Sequence, residues 1–325
     1  MKFEILNQDG EARNGIIKLR RGLIETPVFM PVGTQGTVKS LDPTELTQSG
    51  SQIILGNTFH LNLRPGVEAI KKHGSLHNFM NWHKPILTDS GGFQVWSLAK
   101  KKDICEKGVL FKSPIDGSEV FISPEDSMRI QKDLGSDIVM CFDECTSYPA
   151  SYSEAKDSLN RSLRWAERCS KVILGEDQVL FGISQGGMYP DLRFESLSGL
   201  TNVDFAGYAL GGLSVGEPKE EMLEILDKVA KYLPREKPRY LMGVGKPEDL
   251  IAGVAAGIDM FDCVLPTRNA RNGWLYTKSG IVKLKHSINK LDTDPIEGGC
   301  PCPACLNYSK SYLRHLFISG EVLGS

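Results

Sequence analysis

Eight short apolar runs recur along the chain, and each ends in glycine, asparagine, aspartate or another polar residue. Helical patterns lie between most of them. Repeated strand-then-helix units predict a parallel sheet with right-handed crossovers, and eight units predict its closure into a (β/α)8 TIM barrel. The predicted strands are residues 28–33, 52–57, 85–92, 137–144, 178–186, 206–212, 239–245 and 257–264.

The clearest helix signals lie in the middle of the chain. Ser123 is followed by Pro124 and two acidic residues, which is a typical helix start. Residues 153–172 carry apolar side chains on one face, and residues 218–233 repeat apolar positions at helical spacing with charges opposite. These segments supply the predicted crossover helices.

Three segments depart from the strand-then-helix pattern. We expect residues 109–122 to form a hairpin turning at Asp116-Gly117, and residues 273–285 to form another turning at Ser279-Gly280. The first 25 residues or so are expected to form short antiparallel strands that cap the bottom of the barrel. The predicted domains are the barrel with its cap, residues 1–290, and a small C-terminal subdomain, residues 291–325.

Composition places the chain among soluble proteins. Apolar residues make up 41% and charged residues 24% of 325 positions, and no 18-residue apolar run is present, which argues against a spanning helix. The first residues lack the apolar core of a signal peptide. The eight cysteines are therefore expected to be reduced thiols, and the protein to be cytoplasmic.

Positive charge is concentrated in one stretch. The formal net charge is −2, but residues 264–291 carry six lysines and arginines and no acid, so the other 297 residues sum to −8. Such a basic stripe fits a nucleic-acid footprint. Charge alone leaves a solvated, lysine-rich hairpin equally open.

Three aspartates lie at predicted strand ends, namely Asp89, Asp143 and Asp262. Each alone can be a cap or turn residue, but barrel enzymes build their sites at the carboxyl ends of the strands, where these three would meet. Two such carboxylates can act at an anomeric carbon, one as nucleophile and one as acid or base. A sugar glycosidase usually offers a tryptophan-rich platform, whereas Trp96 is the one tryptophan near a strand end. The basic run from Arg268 to Gly273 instead favours a base-exchanging enzyme that acts on nucleic acid.

Six motifs in order resemble the queuine tRNA-ribosyltransferase family, the tRNA-guanine transglycosylases, in its bacterial form. They are DSGGFQV (89–95), FDEC (142–145), QG (185–186), GGLSVG (211–216), YLMGVG (240–245) and FDCVLPTR (261–268). The resemblance implies a zinc-containing barrel that exchanges the wobble guanine, position 34, of tRNAs with GUN anticodons (Asp, Asn, His, Tyr) for 7-aminomethyl-7-deazaguanine (preQ1) in queuosine biosynthesis. It also implies a homodimer.

The resemblance assigns roles within the barrel. It makes Asp262 the nucleophile and Asp89 the general acid and base, while Asp143, Gln185 and the backbone of Gly212 bind the base edge. Phe93 and Met242 would stack on the base, as a purine taken out of its stack requires. The implied substrate-binding residues are Asp89, Ser90, Gly91, Gly92, Phe93, Asp143, Gln185, Gly212, Leu213 and Met242, with Asn57 and Val215 helping to shape the pocket.

The resemblance also implies two segments that contact the anticodon loop, and it gives the basic stripe a substrate. RNA bases would be read there as splayed, single-stranded nucleotides. The implied RNA-binding residues are Gly243, Val244, Gly245, Lys246, Pro247, Glu248, Asp249, Thr267, Arg268, Asn269, Ala270 and Arg271.

Cys300, Cys302 and Cys305 place three thiols within six residues, a spacing that predicts one structural zinc ion. The family supplies a histidine as fourth ligand, which by its spacing would fall just past residue 325, so no fourth ligand is identified in this chain. His315 fits a helix predicted from Leu306 to Phe317 better than a ligand. The zinc subdomain and the dimer contact beside it are therefore expected to be weakened, and a catalytically silent tRNA-binding relative stays open as the alternative.

Overall fold

The computed structural model describes residues 1–94 and 103–325. Val95 of the first motif and Trp96 lie outside the described residues. The chain divides into two compact units, Met1–Cys263 and Val264–Ser325. The predicted start of the zinc subdomain at residue 291 stays a prediction.

Eight parallel strands of the first unit close into a barrel in chain order, so the predicted (β/α)8 fold is confirmed. Residues such as Ile138, Val139 and Met140 are fully buried, because helices cover the outer face while side chains fill the interior. The barrel strands are Val28–Gly33, Ile54–Gly56, Ile86–Thr88, Ile138–Met140, Val179–Ser184, Gly207–Leu210, Arg239–Leu241 and Met260–Cys263.

Helices fill most of the connections between these strands. Ser123 begins one of them through a capping box, because its hydroxyl accepts from Asp126 N while the Asp126 carboxylate accepts from Ser123 N. In the described part of the first unit the helices are Pro43–Gln48, Thr58–Leu63, Val67–Lys72, Leu76–Met80, Pro124–Leu134, Tyr152–Ser170, Pro190–Thr201, Lys219–Val229, the 3-10 turn Ala230–Tyr232, and Pro247–Ala255. No helix among the described residues is long and apolar enough to cross a bilayer.

The predicted N-terminal cap is present as an antiparallel sheet of Lys2–Asp9, Ala12–Leu19 and Gly22–Thr26. Buried Arg13 joins it to the amino ends of the barrel strands through two bonds to Asp259, 2.9 and 2.6 Å long. Because a bidentate arginine fixes both partners in orientation, this pair holds the sheet across the bottom of the barrel.

The first predicted hairpin is also present. Gly108–Lys112 pairs with Glu119–Ile122, and the loop between them contains Asp116 and Gly117. A short third strand, Ile104–Cys105, extends this sheet and was not predicted. A two-residue strand carries too little pattern to be read from sequence.

The second unit contains a hairpin and short helices around Leu284, Leu313 and Leu316. Thr277 pairs with Gly280, so the turn is Lys278-Ser279, one residue before the predicted position. The predicted helix from Leu306 to Phe317 is wrong, because the chain leaves the helix after Asn307 and Ser309 caps a new one. The elements are Leu265–Arg271, Trp274–Thr277, Gly280–Lys283, Ser287–Leu291, Pro303–Asn307, Lys310–Ser319 and Val322–Gly324.

Candidate active site

The three predicted aspartates lie at carboxyl ends of barrel strands. Asp89 follows Ile86–Thr88, Asp143 comes three residues after Ile138–Met140, and Asp262 belongs to the last strand, Met260–Cys263. Parallel strands point their carboxyl ends to the same mouth of a barrel, so the fold brings the three carboxylates to one side of the molecule.

Asp89 is buried beside the start of the helix Thr58–Leu63. Its Oδ2 accepts from Asn57 Nδ2 at 2.6 Å, and its Oδ1 accepts from Thr58 N at 2.9 Å. Desolvation raises the pKa of Asp89 to about 7, and the Asp262 charge adds to the rise while the Thr58 N–H opposes it. A carboxyl group with this pKa can give and take a proton at neutral pH.

Among the described residues, the partners of Asp262 bind one of its two oxygens. Its Oδ1 accepts from Tyr240 Oη at 2.6 Å and from Gly243 N at 2.8 Å. Burial raises the pKa of Asp262, and these two bonds oppose the rise. Burial and the Asp262 charge together raise the pKa of Tyr240 well above its ordinary value, so Tyr240 stays a phenol that donates to the carboxylate.

Asp143 forms the opposite part of the site together with Gln185 and Ser90. Gln185 Nε2 donates to its Oδ2 at 2.6 Å and Ser90 Oγ to its Oδ1 at 3.1 Å. Burial raises the pKa of Asp143 to about 6, against both bonds. Gly92 packs so closely here that a Cβ would lie 2.5 Å from Asp143 O, which explains the glycine in the first motif.

The remaining predicted base contacts are Gly212, Leu213, Met242 and Phe93. Gly212 has a φ of +63°, and a Cβ there would lie 2.4 Å from Gln185 Oε1, so the two residues are in close contact. Leu213 is buried, Met242 is partly buried, and Phe93 is 48% exposed. Phe93 therefore offers exposed aromatic surface on which a flat ring can stack.

The two predicted RNA segments differ in exposure. In the first unit Gly243, Lys246, Pro247 and Glu248 are exposed, whereas Val244, Gly245 and Asp249 are buried. Asp249 Oδ1 lies 2.7 Å from Lys219 Nζ, so its charge is already compensated.

In the second unit the predicted RNA residues, Thr267 to Arg271, lie on the helix Leu265–Arg271. Arg268 is exposed, and Arg271 Nε donates to Thr267 O at 3.2 Å. An exposed guanidinium can reach a phosphate without rearrangement.

Cys300, Cys302 and Cys305 form a cluster that can hold a metal ion, with all three sulfurs within 4.8 Å of one another. Tetrahedral zinc with bonds of about 2.3 Å separates its sulfurs by about 3.8 Å, so the residues present fit the ion after a small adjustment. No histidine or carboxylate of the described residues joins this cluster, and His315 instead lies 3.5 Å from Ser319 Oγ.

Comparison with known proteins decides the family. The family model described as "Queuine tRNA-ribosyltransferase" matches residues 8–325. The chain belongs to the queuine tRNA-ribosyltransferase family. It is 60% identical to the queuine tRNA-ribosyltransferase of Francisella tularensis subsp. novicida and 58% identical to that of Hydrogenovibrio crunogenus, over 100% of this chain and 89% and 88% of those proteins. The queuine tRNA-ribosyltransferase of Methylobacillus flagellatus is 60% identical over 88% of its length. The predicted family and the predicted enzyme class, a pentosyltransferase, are confirmed.

Sequence reasoning missed three contacts of this candidate site. Tyr240 lies in a quoted motif within the strand Arg239–Leu241, two residues before Met242, so the period of two along an extended chain could have placed it at the mouth. Thr58 binds the Asp89 carboxylate through its backbone N–H, which no side-chain pattern reveals, and its hydroxyl donates to Asp89 O at 2.5 Å. Arg193 reaches the site from the helix Pro190–Thr201, and its sequence position carries no signal of this.

Proposed function

We propose that this chain exchanges the wobble guanine of tRNAs with GUN anticodons for 7-aminomethyl-7-deazaguanine, by double displacement through a covalent ester between Asp262 and the ribose. The proposal rests on family membership and on one observation. An oriented carboxylate, Asp262, shares its barrel mouth with a second one, Asp89, whose pKa is raised to about 7.

In the first displacement an Asp262 oxygen attacks C1′ of the wobble ribose. The C1′–N9 bond breaks, its electron pair stays with guanine, and Asp89 in its protonated form supplies a proton to the departing base. Because Tyr240 and Gly243 both bind Oδ1, we assign the attack to Oδ2. In residues 1–94 and 103–325 the two bonds fix the carboxylate and leave the attacking oxygen unoccupied.

In the second displacement the incoming base loses its N9 proton to Asp89 and attacks C1′. The ester bond breaks and Asp262 leaves as a carboxylate. Two inversions at one carbon retain the configuration, and the same group acts first as acid and then as base. A pKa near neutrality suits both roles.

Asp143, Gln185 and the Gly212 backbone offer acceptors and donors in one buried corner, which suits the edge of a purine. Phe93 and Met242 would supply the stacking surfaces. The raised pKa of Asp143, about 6, lets this group hold a hydrogen bond with either a donor or an acceptor on the base.

The proposal is tested by incubating the full chain with an unmodified GUN-anticodon tRNA and radiolabelled guanine. We expect label in the tRNA, and we expect preQ1 to displace it. A matched tRNA with adenine at position 34 is the control and should stay unlabelled. RNA binding with no incorporation into any tRNA would favour the catalytically silent relative instead.

The basic stripe, residues 264–291, is proposed to bind the anticodon arm. We expect Arg268→Ala to raise the KM for tRNA about tenfold, because one phosphate contact of an exposed arginine is lost, while guanine affinity stays unchanged. Steady-state kinetics with each substrate varied separately measures both. Arg20→Ala, an exposed arginine of the N-terminal sheet, is the control. Equal losses of tRNA and guanine binding would contradict the assignment.

Cys300, Cys302 and Cys305 are proposed to hold one structural zinc ion, which when bound would crosslink the loop that contains them. We expect Cys302→Ser to lower zinc from about one ion per chain to below about 0.1, measured by mass spectrometry after gel filtration. Cys105→Ser, which removes an exposed thiol outside the cluster, should keep full zinc content. Full zinc in Cys302→Ser would refute this ligand set. A homodimer and a cytoplasmic location are further proposals from the family.

A further inference from the structure

A buried arginine lies behind the base-binding corner. Arg193, on the helix Pro190–Thr201, has no exposed surface. All of its hydrogen bonds in the described part of the chain go to backbone carbonyls. An arginine buried without a carboxylate bonded to it is rare, because an uncompensated charge is costly to desolvate.

The guanidinium joins the ends of two neighbouring strands. Its Nη1 donates to Ser184 O at 2.8 Å and to Gly211 O at 2.7 Å, and its Nε donates to Gly187 O at 3.0 Å. Ser184 and Gly187 bracket Gln185, whereas Gly211 precedes Gly212. One rigid fork therefore ties together the two loops that carry proposed contacts to the base.

A second residue of the same helix completes this support. Ser196, one turn after Arg193, accepts from Gln185 N at 3.1 Å and is buried. The Gln185 side chain is held by Asp143, so its backbone and its amide are both fixed before any base enters. Glycines supply no side chains to hold the loops, and the helix supplies the missing restraint.

The charge is retained despite its burial. Desolvation lowers the pKa of Arg193 to about 10, which still leaves the group protonated at neutral pH. Charged donors form stronger bonds to carbonyls than neutral donors do, and a bond in a buried site resists competition from water. A neutral side chain would hold the two loops less tightly.

We propose that Arg193 is a positioning residue that holds Gln185 and the Gly212 backbone in register for the nucleobase. The inference rests on the proposed function of this corner as the base site. Because the base is held by Gln185 and Gly212 in the ground state and in the transition state alike, the residue contributes uniform binding, which appears in KM and not in kcat.

The test compares Arg193→Met and Arg193→Lys in the full chain, with guanine and tRNA varied separately. We expect Arg193→Met to raise the KM for guanine about tenfold to hundredfold, with kcat changed less than about threefold. The KM for tRNA should rise by a smaller factor, because the wobble guanine would enter the same corner while the rest of the anticodon arm binds elsewhere. Arg193→Lys keeps the charge but loses the forked guanidinium, so its KM for guanine should lie between that of the wild type and that of Arg193→Met. Should Arg193→Met fail to fold, Arg193→Lys carries the test alone.

Arg239→Met is the matched control. Arg239 is also a buried arginine that donates to a backbone carbonyl, Leu233 O at 2.8 Å, but it starts its strand at the opposite end of the barrel. We expect Arg239→Met to lower thermal stability without changing the KM for guanine. An unchanged guanine KM in both Arg193 variants, or the same rise in Arg239→Met, would overturn the inference. A wild-type chain that neither binds nor incorporates guanine would overturn the proposed function itself.

Discussion

Substitution of Asp262 by asparagine is expected to reduce guanine exchange by about four orders of magnitude or more, the loss typical of removing a nucleophile. Asparagine keeps the shape of the side chain and still accepts from Tyr240 and Gly243 through its Oδ1, so the site stays assembled. The amide cannot form the ester with C1′. Incorporation of radiolabelled guanine measures the loss, and a denaturing gel shows the absence of the enzyme–RNA adduct.

Guanine binding by the Asp262→Asn variant should stay within about threefold of the wild type, because the base edge is held by Asp143 and Gln185 on other strands. Asp177→Asn is the matched control, since it makes the same chemical change at a surface carboxylate paired with Arg20. It should leave exchange unchanged. Activity above about 1% in Asp262→Asn would show that another group is the nucleophile.

The barrel could be predicted because its strands are buried on both faces. Ile138, Val139 and Met140 form an unbroken apolar run, and each such run ends where the chain returns to the polar mouth. Strand order then follows from chain order, which places Asp89, Asp143 and Asp262 on one side. These steps use only local pattern and connectivity.

The contacts that orient the side chains of the candidate site could not be predicted from local pattern and connectivity. Tyr240 Oη meets Asp262 across 22 positions of sequence, and Arg193 serves loops from two strands through carbonyls that every residue possesses. Likewise, the helix break at Tyr308 depends on the cap that Ser309 provides, within a segment whose apolar spacing continues through it. Such features are set by tertiary packing, which overrides local propensity.

Asp89→Asn is expected to slow exchange by about two to four orders of magnitude, because a positioned acid and base is removed while the pocket keeps its shape. In the wild type, the first displacement needs the protonated form of Asp89 and the second needs the ionised form. Exchange by the wild type should therefore be fastest near pH 7, the raised pKa of Asp89, and fall on both the acid and the alkaline side. The residual rate of Asp89→Asn should lack this dependence. An identical acid limb in both proteins would assign it to another group.

The same raised pKa predicts how stability depends on pH. Between the ordinary value of 3.8 and about 7 the folded chain holds a proton on Asp89 that the unfolded chain has lost. Unfolding then releases a proton, so the Asp89 contribution to the free energy of unfolding decreases as pH rises through this window and is constant above it. From pH 5 to pH 8 the wild type should lose about 2–3 kcal/mol more than Asp89→Asn in urea titrations. Asp89→Asn also loses one acceptor, which removes the bond from Asn57 or from Thr58. This loss changes the free energy of unfolding of the variant by the same amount at every pH, so the difference in slope remains. Parallel curves would mean that Asp89 is ionised in the folded protein at pH 5.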